Sequence, residues 1–172
     1  MEHVIPVLEQ HHSKSQKMLL TDSLTGLANW RLFNRHLSNE FNKIHRYGQY
    51  LSILIVNVDS FRRCSSVRLN ADHDATLKSL SNNWNKCIGF SGDMLARHIG
   101  NEFGVILLHA NELHARGIAQ KFTTIAHYHN VSISIGIAFS HETATVEDLI
   151  DIANHRLYQA RVSNTLVDTS EF

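Results

Sequence analysis

Residues 95–108, LARHIGNEFGVILL, constrain this chain of 172 residues more than any other stretch. A short apolar run, a two-residue turn offering an amide and a carboxylate, and a second apolar run predict a β-hairpin. Strands joined by so tight a turn pair antiparallel, so a sheet is required. The segments around the hairpin are long and helical in pattern. Hairpin strands flanked by long helices argue for an α+β sandwich, a mixed central sheet covered by helices.

The rest of the chain supplies those pieces. Ile5, Leu8, His12, Ser15 and Leu19 alternate spacings of three and four, the seam of a helix with a polar middle. Pro6 suits its first turn. Residues 1–20 therefore read as a helix that continues from an upstream segment or pairs with a second copy, and residues 21–172 as the domain. After a turn at 21–27, Asn29 can cap a helix with Trp30, Phe33, Leu37, Phe41 and Ile44 on one stripe, ended near Gly48. LSILIVNV (51–58) is apolar on both faces and reads as a central strand. A helix from about Asp74 should bury Leu77, Leu80, Trp84 and Ile88. After the hairpin another should turn Ala115, Ile118, Phe122 and Ile125 inward. VSISIGIAF (131–139) alternates as a strand with one polar face does. Thr145 with Asp148 resembles a capping box opening a last helix through Arg161, where Arg156 and Arg161 complement the dipole. A short edge strand near 165–167 closes the expected order ααβαββαβα.

Composition excludes several function classes. Sixteen basic and sixteen acidic side chains cancel, so no global field points to nucleic acid or an anionic membrane. Apolar residues make 43% and charged ones 19%, which places the chain among globular rather than disordered proteins. Cys64 and Cys87 have neither metal-type spacing nor enough company for a disulfide framework, so a reducing cytosol fits best. No apolar run reaches membrane-span length, and the N-terminus lacks a signal-peptide core. The expectation is a cytoplasmic domain, or the cytoplasmic part of a larger sensor. Among thirteen histidines, His11-His12 and His127-x-His129 could ligate zinc or copper. They lack acidic or cysteine companions and read as solvated surface.

Five motifs, in order and at proper spacing, resemble those of the GGDEF family, the domain of diguanylate cyclases. Asp22 to Asn29, DSLTGLAN, looks like D-x-LTGLxN, and Asn57 to Arg62, NVDSFR, looks like D-x-D-x-F-K. Ile99 to Phe103, IGNEF, stands in place of GGDEF. Ser132 to Ala138, SISIGIA, matches S-x-G-x-A, and Ala153 to Arg161, ANHRLYQAR, matches A-D-x-A-L-Y-x-A-K. The resemblance runs from about Asp22 to Val167 and implies the family's cyclase-like, palm-related sheet.

It also implies the site. Active relatives join two GTP molecules, held on facing protomers, into cyclic di-GMP with the help of divalent metal. Hard Mg²⁺ prefers anionic oxygen ligands. The positions that would supply them are Asn57, Asn101 and Glu102, and only Glu102, the catalytic remnant, is a carboxylate. Ile99 replaces a glycine, so a stiff β-branched side chain either fills the phosphate bed or extends the strand while the turn rearranges. For GTP the counterparts are Ser65 and Asp74 at the guanine and Arg161 at the terminal phosphates, where Thr165 replaces a second basic residue. Asp74 serves equally as a helix N-cap, and Arg161 as a partner of its helix C-terminus. In place of the product-inhibition R-x-x-D stand Phe90-Ser-Gly-Asp93, where Phe90 stacks on a guanine or fills a core or turn.

The expectation is a catalytically impaired domain acting as a regulatory or interaction module in cyclic di-GMP signalling. The alternatives are residual cyclase activity and a GTP-binding sensor. No cofactor is expected, with Mg²⁺ or Mn²⁺ only where residual activity exists. The expected partners are GTP or cyclic di-GMP, another signalling protein or a second copy, with no nucleic acid polymer and no membrane contact.

Overall fold

Asn29 and Gly48 bracket the first helix, α1 (Trp30–Tyr47), as the sequence demands. Asn29 accepts the Leu32 amide at 3.1 Å, and Gly48 adopts a left-handed φ of 62° with its N–H on the Ile44 carbonyl. In this computed structural model the described residues are 19–61, 69–89, 91–163 and 167–168. The expected helix over 5–20, Ser65, Phe90 and Thr165 lie outside them, Leu19 and Leu20 excepted.

Helices α2 (Leu69–Asn85), α3 (Glu112–Tyr128) and α4 (Val146–Val162) follow, with strands β1 (Ala28–Asn29), β2 (Leu51–Phe61), β3 (Met94–Arg97), β4 (Glu102–Leu108), β5 (Val131–Phe139) and β6 (Val167–Asp168). They form one six-stranded mixed sheet in the order β1-β3-β4-β2-β5-β6. β2 lies at its centre, antiparallel to both β4 and β5. Among the described residues no helix is long and apolar enough to cross a membrane.

The pleat of β2 explains why its sequence is apolar throughout. Leu54, Val56 and Val58 enter one core with Trp84 of α2 and Phe122 of α3; Ile53 and Ile55 enter another with Phe33 and Leu37 of α1 and Leu149 of α4. Two helices thus cover each face. Trp84 stacks on Phe122 at 4.9 Å between ring centroids and donates its indole N–H to the Phe122 carbonyl at 3.2 Å.

Three expectations need correction. β5 has no solvated face: all but one of its residues are buried. The side that carries Ser134, Gly136 and Ala138 is small because α4 lies close against it. A Cβ at Gly136 would overlap the Ala153 carbonyl and the Leu157 amide. Arg156 does not serve the helix dipole from the surface. It is 1% exposed, donates to the Ile137 carbonyl at 2.8 Å, and grips both oxygens of Glu142 at 2.9 and 2.7 Å. Burial pushes the Glu142 carboxyl up, but the bonds from Arg156 and the Phe139 amide outweigh it and hold the group below the usual carboxylate range. The Thr145 cap is one-sided: its hydroxyl accepts the Asp148 amide at 3.1 Å, while Asp148 receives that hydroxyl, not the cap's backbone N–H. In α3 Ile125 turns inward as expected, half-buried against the core, and Ala126 is buried beside it.

Gly136→Ala should destabilise the domain by roughly 2 kcal/mol or more, because the added methyl meets backbone that cannot rotate away. Urea unfolding reads this directly. An unchanged midpoint would refute the close approach of α4.

Candidate functional site

Strand register assembles the site. Asn57 of β2 is the antiparallel partner of Glu102 on β4 and of Ser134 on β5, so three side chains form one row across three strands. Directly opposed residues hold their Cβ atoms about 4.5–5.5 Å apart on the same face. Two residues further along β2, where the pairing with β5 shifts register between Val58 and Ser60, Asp59 reaches the same row.

Asp59 gathers donors. Its Oδ1 accepts the Asn57 Nδ2–H at 2.7 Å and lies 3.3 Å from the Arg161 Nε, while Oδ2 accepts the Ser134 hydroxyl at 2.6 Å. A carboxylate can only accept, which fixes the Asn57 amide with its nitrogen toward Asp59. Asn57 is 8% exposed, so this bond satisfies a group that would otherwise be costly to bury.

The hairpin supplies the other half. His98 N–H reaches the Glu102 carbonyl at 2.9 Å and Glu102 N–H the Ile99 carbonyl at 3.0 Å, leaving Gly100 and Asn101 at the turn. Glu102 therefore opens β4 instead of sitting in the turn. Gly100 takes the left-handed backbone with φ of 57°. Ile99 needs no such conformation, and its side chain, 71% exposed, extends into solvent instead of filling the turn. Asn101 ties the hairpin to β2 twice: its carbonyl accepts the Val58 amide at 3.0 Å, and its Nδ2–H donates to the Val58 carbonyl at 3.1 Å. Glu102 Oε2 lies 3.1 Å from Nδ1 of His98, whose ring is tilted by 32° against Trp30 with centroids 4.4 Å apart.

Arg97 anchors the turn from behind. Its guanidinium donates to the Gly100 carbonyl at 3.1 and 2.8 Å and to Asp22 at 3.1 Å. Asp22 also accepts the amide and hydroxyl of Thr25 at 2.8 and 2.7 Å. Burial raises the Asp22 carboxyl, but those bonds and the Arg97 charge prevail and hold it below the ordinary value.

The structure thus brings Asn57, Asn101, Glu102 and Arg161 into one neighbourhood. It does not bring Asp74 there by any described contact. Asp74 lies more than a turn inside α2, so it is not the helix N-cap, and its carboxylate, 55% exposed, lies 3.7 Å from Nδ1 of His73. Sequence reasoning missed Asp59, Ser134 and His98 as members of the site. The signal was present for the first: Asn57 and Asp59 are two apart on a strand, the spacing that puts side chains on one face. Among the described residues no three His, Cys, Asp or Glu side chains are grouped to hold a metal ion.

With this geometry in view, the chain is similar to several known proteins. A family model described as "Diguanylate cyclase, GGDEF domain" matches residues 19–165. Diguanylate cyclase DgcS of Shewanella oneidensis is 31% identical over 147 residues, 83% of this chain, which spans about half (49%) of that relative's length. Among solved structures, the coiled coil and GGDEF domain of DgcB from Caulobacter crescentus, in complex with c-di-GMP, matches with a TM-score of 0.82 at 17% identity, over 95% of this chain and 92% of that one. Diguanylate cyclase SiaD of Pseudomonas aeruginosa, in complex with its activator SiaC, matches with a TM-score of 0.79 at 19% identity, over 94% and 65% respectively. At these identities the two structures speak for the fold alone.

The Asp22 anchor has a pH signature. A carboxyl with a lowered folded-state pKa contributes stability above its unfolded value of about 3.9, and that stability is lost as pH falls through the folded value. Asp22→Asn should cost roughly 1–3 kcal/mol at neutral pH, and the gap to wild type should narrow in acid. Urea unfolding at neutral and strongly acidic pH measures both. A gap independent of pH would contradict the anchor.

Proposed function

The chain belongs to the GGDEF family, the domain of diguanylate cyclases in cyclic di-GMP signalling, and we propose that it serves this signalling as a non-catalytic regulatory or interaction module. One observation carries the reading: at both substituted metal positions the amide turns an N–H toward an oxygen. Asn57 donates to Asp59 and Asn101 to the Val58 carbonyl. A hard divalent cation would need oxygen lone pairs converging there, preferably anionic ones. The donor set present does not fit a pair of such ions.

The charges that remain are already engaged. Asp59 faces Arg161, and Glu102 faces His98. An amide brings no negative charge and cannot act as a base at neutral pH. Losing two anionic ligands removes several kcal/mol of transition-state stabilisation, on the order of three or more decades in rate. Arg161 would have to leave Asp59 to meet a phosphate.

What persists is a folded domain with room for partners. SiaD forms a complex with an activator protein and DgcB one with c-di-GMP; by analogy of fold, a protein partner or a nucleotide is the class of effector proposed here. The second reading, a GTP-binding sensor working in the cytosol, is favoured by the exposed carboxylate of Asp74 on α2. Guanine requires such an acceptor pair.

Pure protein incubated with GTP and either Mg²⁺ or Mn²⁺ should yield no cyclic di-GMP above a level about a thousandfold below that of an active cyclase. Robust production overturns the proposal. Any trace turnover must disappear in Glu102→Gln, since activity that survives belongs to a contaminant. Calorimetry with GTP separates the sensor from a pure interaction module.

A further inference from the structure

Helix α1 carries its unpaired charge on the side away from the core. At about 100° per residue, Arg31, Arg35 and Arg46 fall within about 60° of one another, opposite the buried stripe. All three are exposed, and none has an ion-pair partner among the described residues. The helix's acid, Glu40, lies off this face and pairs with Lys43 at 2.7 Å. The first turn of α1 contains no acidic residue, so Arg31 sits uncompensated at the positive end of the helix dipole. A local rule broken without local compensation points outside the chain.

Helix α4 packs beside α1 on the same face of the sheet, and its outward side has the opposite sign. Glu147 and Asp151 are exposed, have no ion-pair partner among the described residues, and stand four residues apart, as Arg31 and Arg35 do. Tyr158 continues this side of α4 and is 65% exposed. We propose that the outer face of the α1–α4 layer is the contact surface of a symmetric dimer, in which Arg31 and Arg35 of each copy meet Glu147 and Asp151 of the other.

A two-fold axis makes such a contact twice, each basic pair meeting the other copy's acidic pair. Equal spacing, about 6 Å along each helix, lets two guanidinium–carboxylate pairs form together. Exposed ion pairs contribute little singly, and Tyr158 adds the aromatic anchor that interfaces favour. An anionic bilayer or a nucleic acid fits poorly, because phosphates spread over the whole face would meet Glu147 and Asp151 as like charges. The chain's formal net charge is zero, so the face orients a copy of itself without a global attraction to polyanions. The inference goes beyond the proposed function because it requires nothing of the nucleotide site.

Sedimentation of the full chain at low salt should show a dimer that dissociates as salt screens the contact. The variants Arg31→Glu/Arg35→Glu and Glu147→Arg/Asp151→Arg should each weaken self-association at least about tenfold, with far-UV circular dichroism unchanged. Mixed together they should form a heterodimer, since both contacts become attractive again. A monomeric wild type at low salt, unaltered association in either variant, or a mixture that stays monomeric overturns the proposal. So does wild-type binding to phosphatidylserine vesicles that Arg31→Glu/Arg35→Glu abolishes, which would assign the stripe to a membrane.

Discussion

Everything at the candidate site depends on the register of β2 between its two antiparallel neighbours. Pairing Asn57 with both Glu102 and Ser134 sets one polar row in an otherwise apolar sheet. A slip of one residue would send that row into the opposite core and bring Val56 or Val58 to the site. The register is held by burial on both faces, where Leu54, Val56 and Val58 serve one helix layer and Ile53 and Ile55 the other. It is held at the site end by Asn101, whose backbone and side chain both bond Val58. The substituted residue is therefore part of what keeps the sheet in place.

What was legible in the sequence was what is local. The Asn29 cap, the Gly48 stop and the stripe of α1 depend on residues within a few positions of each other, and they were read correctly. The hairpin was read almost as well, short only of Glu102 belonging to the strand. What failed required knowledge of distant neighbours. Arg156 looked like a surface cation at a helix end until Glu142, across the β5–α4 connection, was found beneath it. The serines and glycine of β5 looked like a wet face because small residues under a close helix and polar residues under water share a pattern. Asp74 looked like a cap because the start of α2 carries no strong local signal ahead of it. Asp59 went unremarked because its importance comes from Asn57, Ser134 and Arg161 converging from three elements.

That convergence gives the site its physical character. In a cluster of carboxylates, like charges within a few ångströms need a cation between them. Here an amide replaces one carboxylate, and its N–H does for Asp59 what a cation would otherwise do. The Ser134 hydroxyl donates a further hydrogen bond, and Arg161 supplies the opposite charge. The network is closed by the chain's own groups, and the proposal that this family member works without a metal rests on that closure. The hairpin's Arg97–Asp22 anchor remains, so the turn is held in shape independently of any bound ligand.

The central claim is that this site is complete without a divalent ion, and thermal unfolding with and without Mn²⁺ tests it most directly. A ligand at a hundred times its dissociation constant adds about 2.7 kcal/mol, a rise of several degrees for a domain of this size. The account predicts no change for the wild-type protein in millimolar Mn²⁺ or in a chelator. It also predicts that Asn57→Asp, which sets a second carboxylate against Asp59, loses stability in the chelator and recovers it with Mn²⁺. A wild-type midpoint that climbs by several degrees with Mn²⁺ would contradict the account.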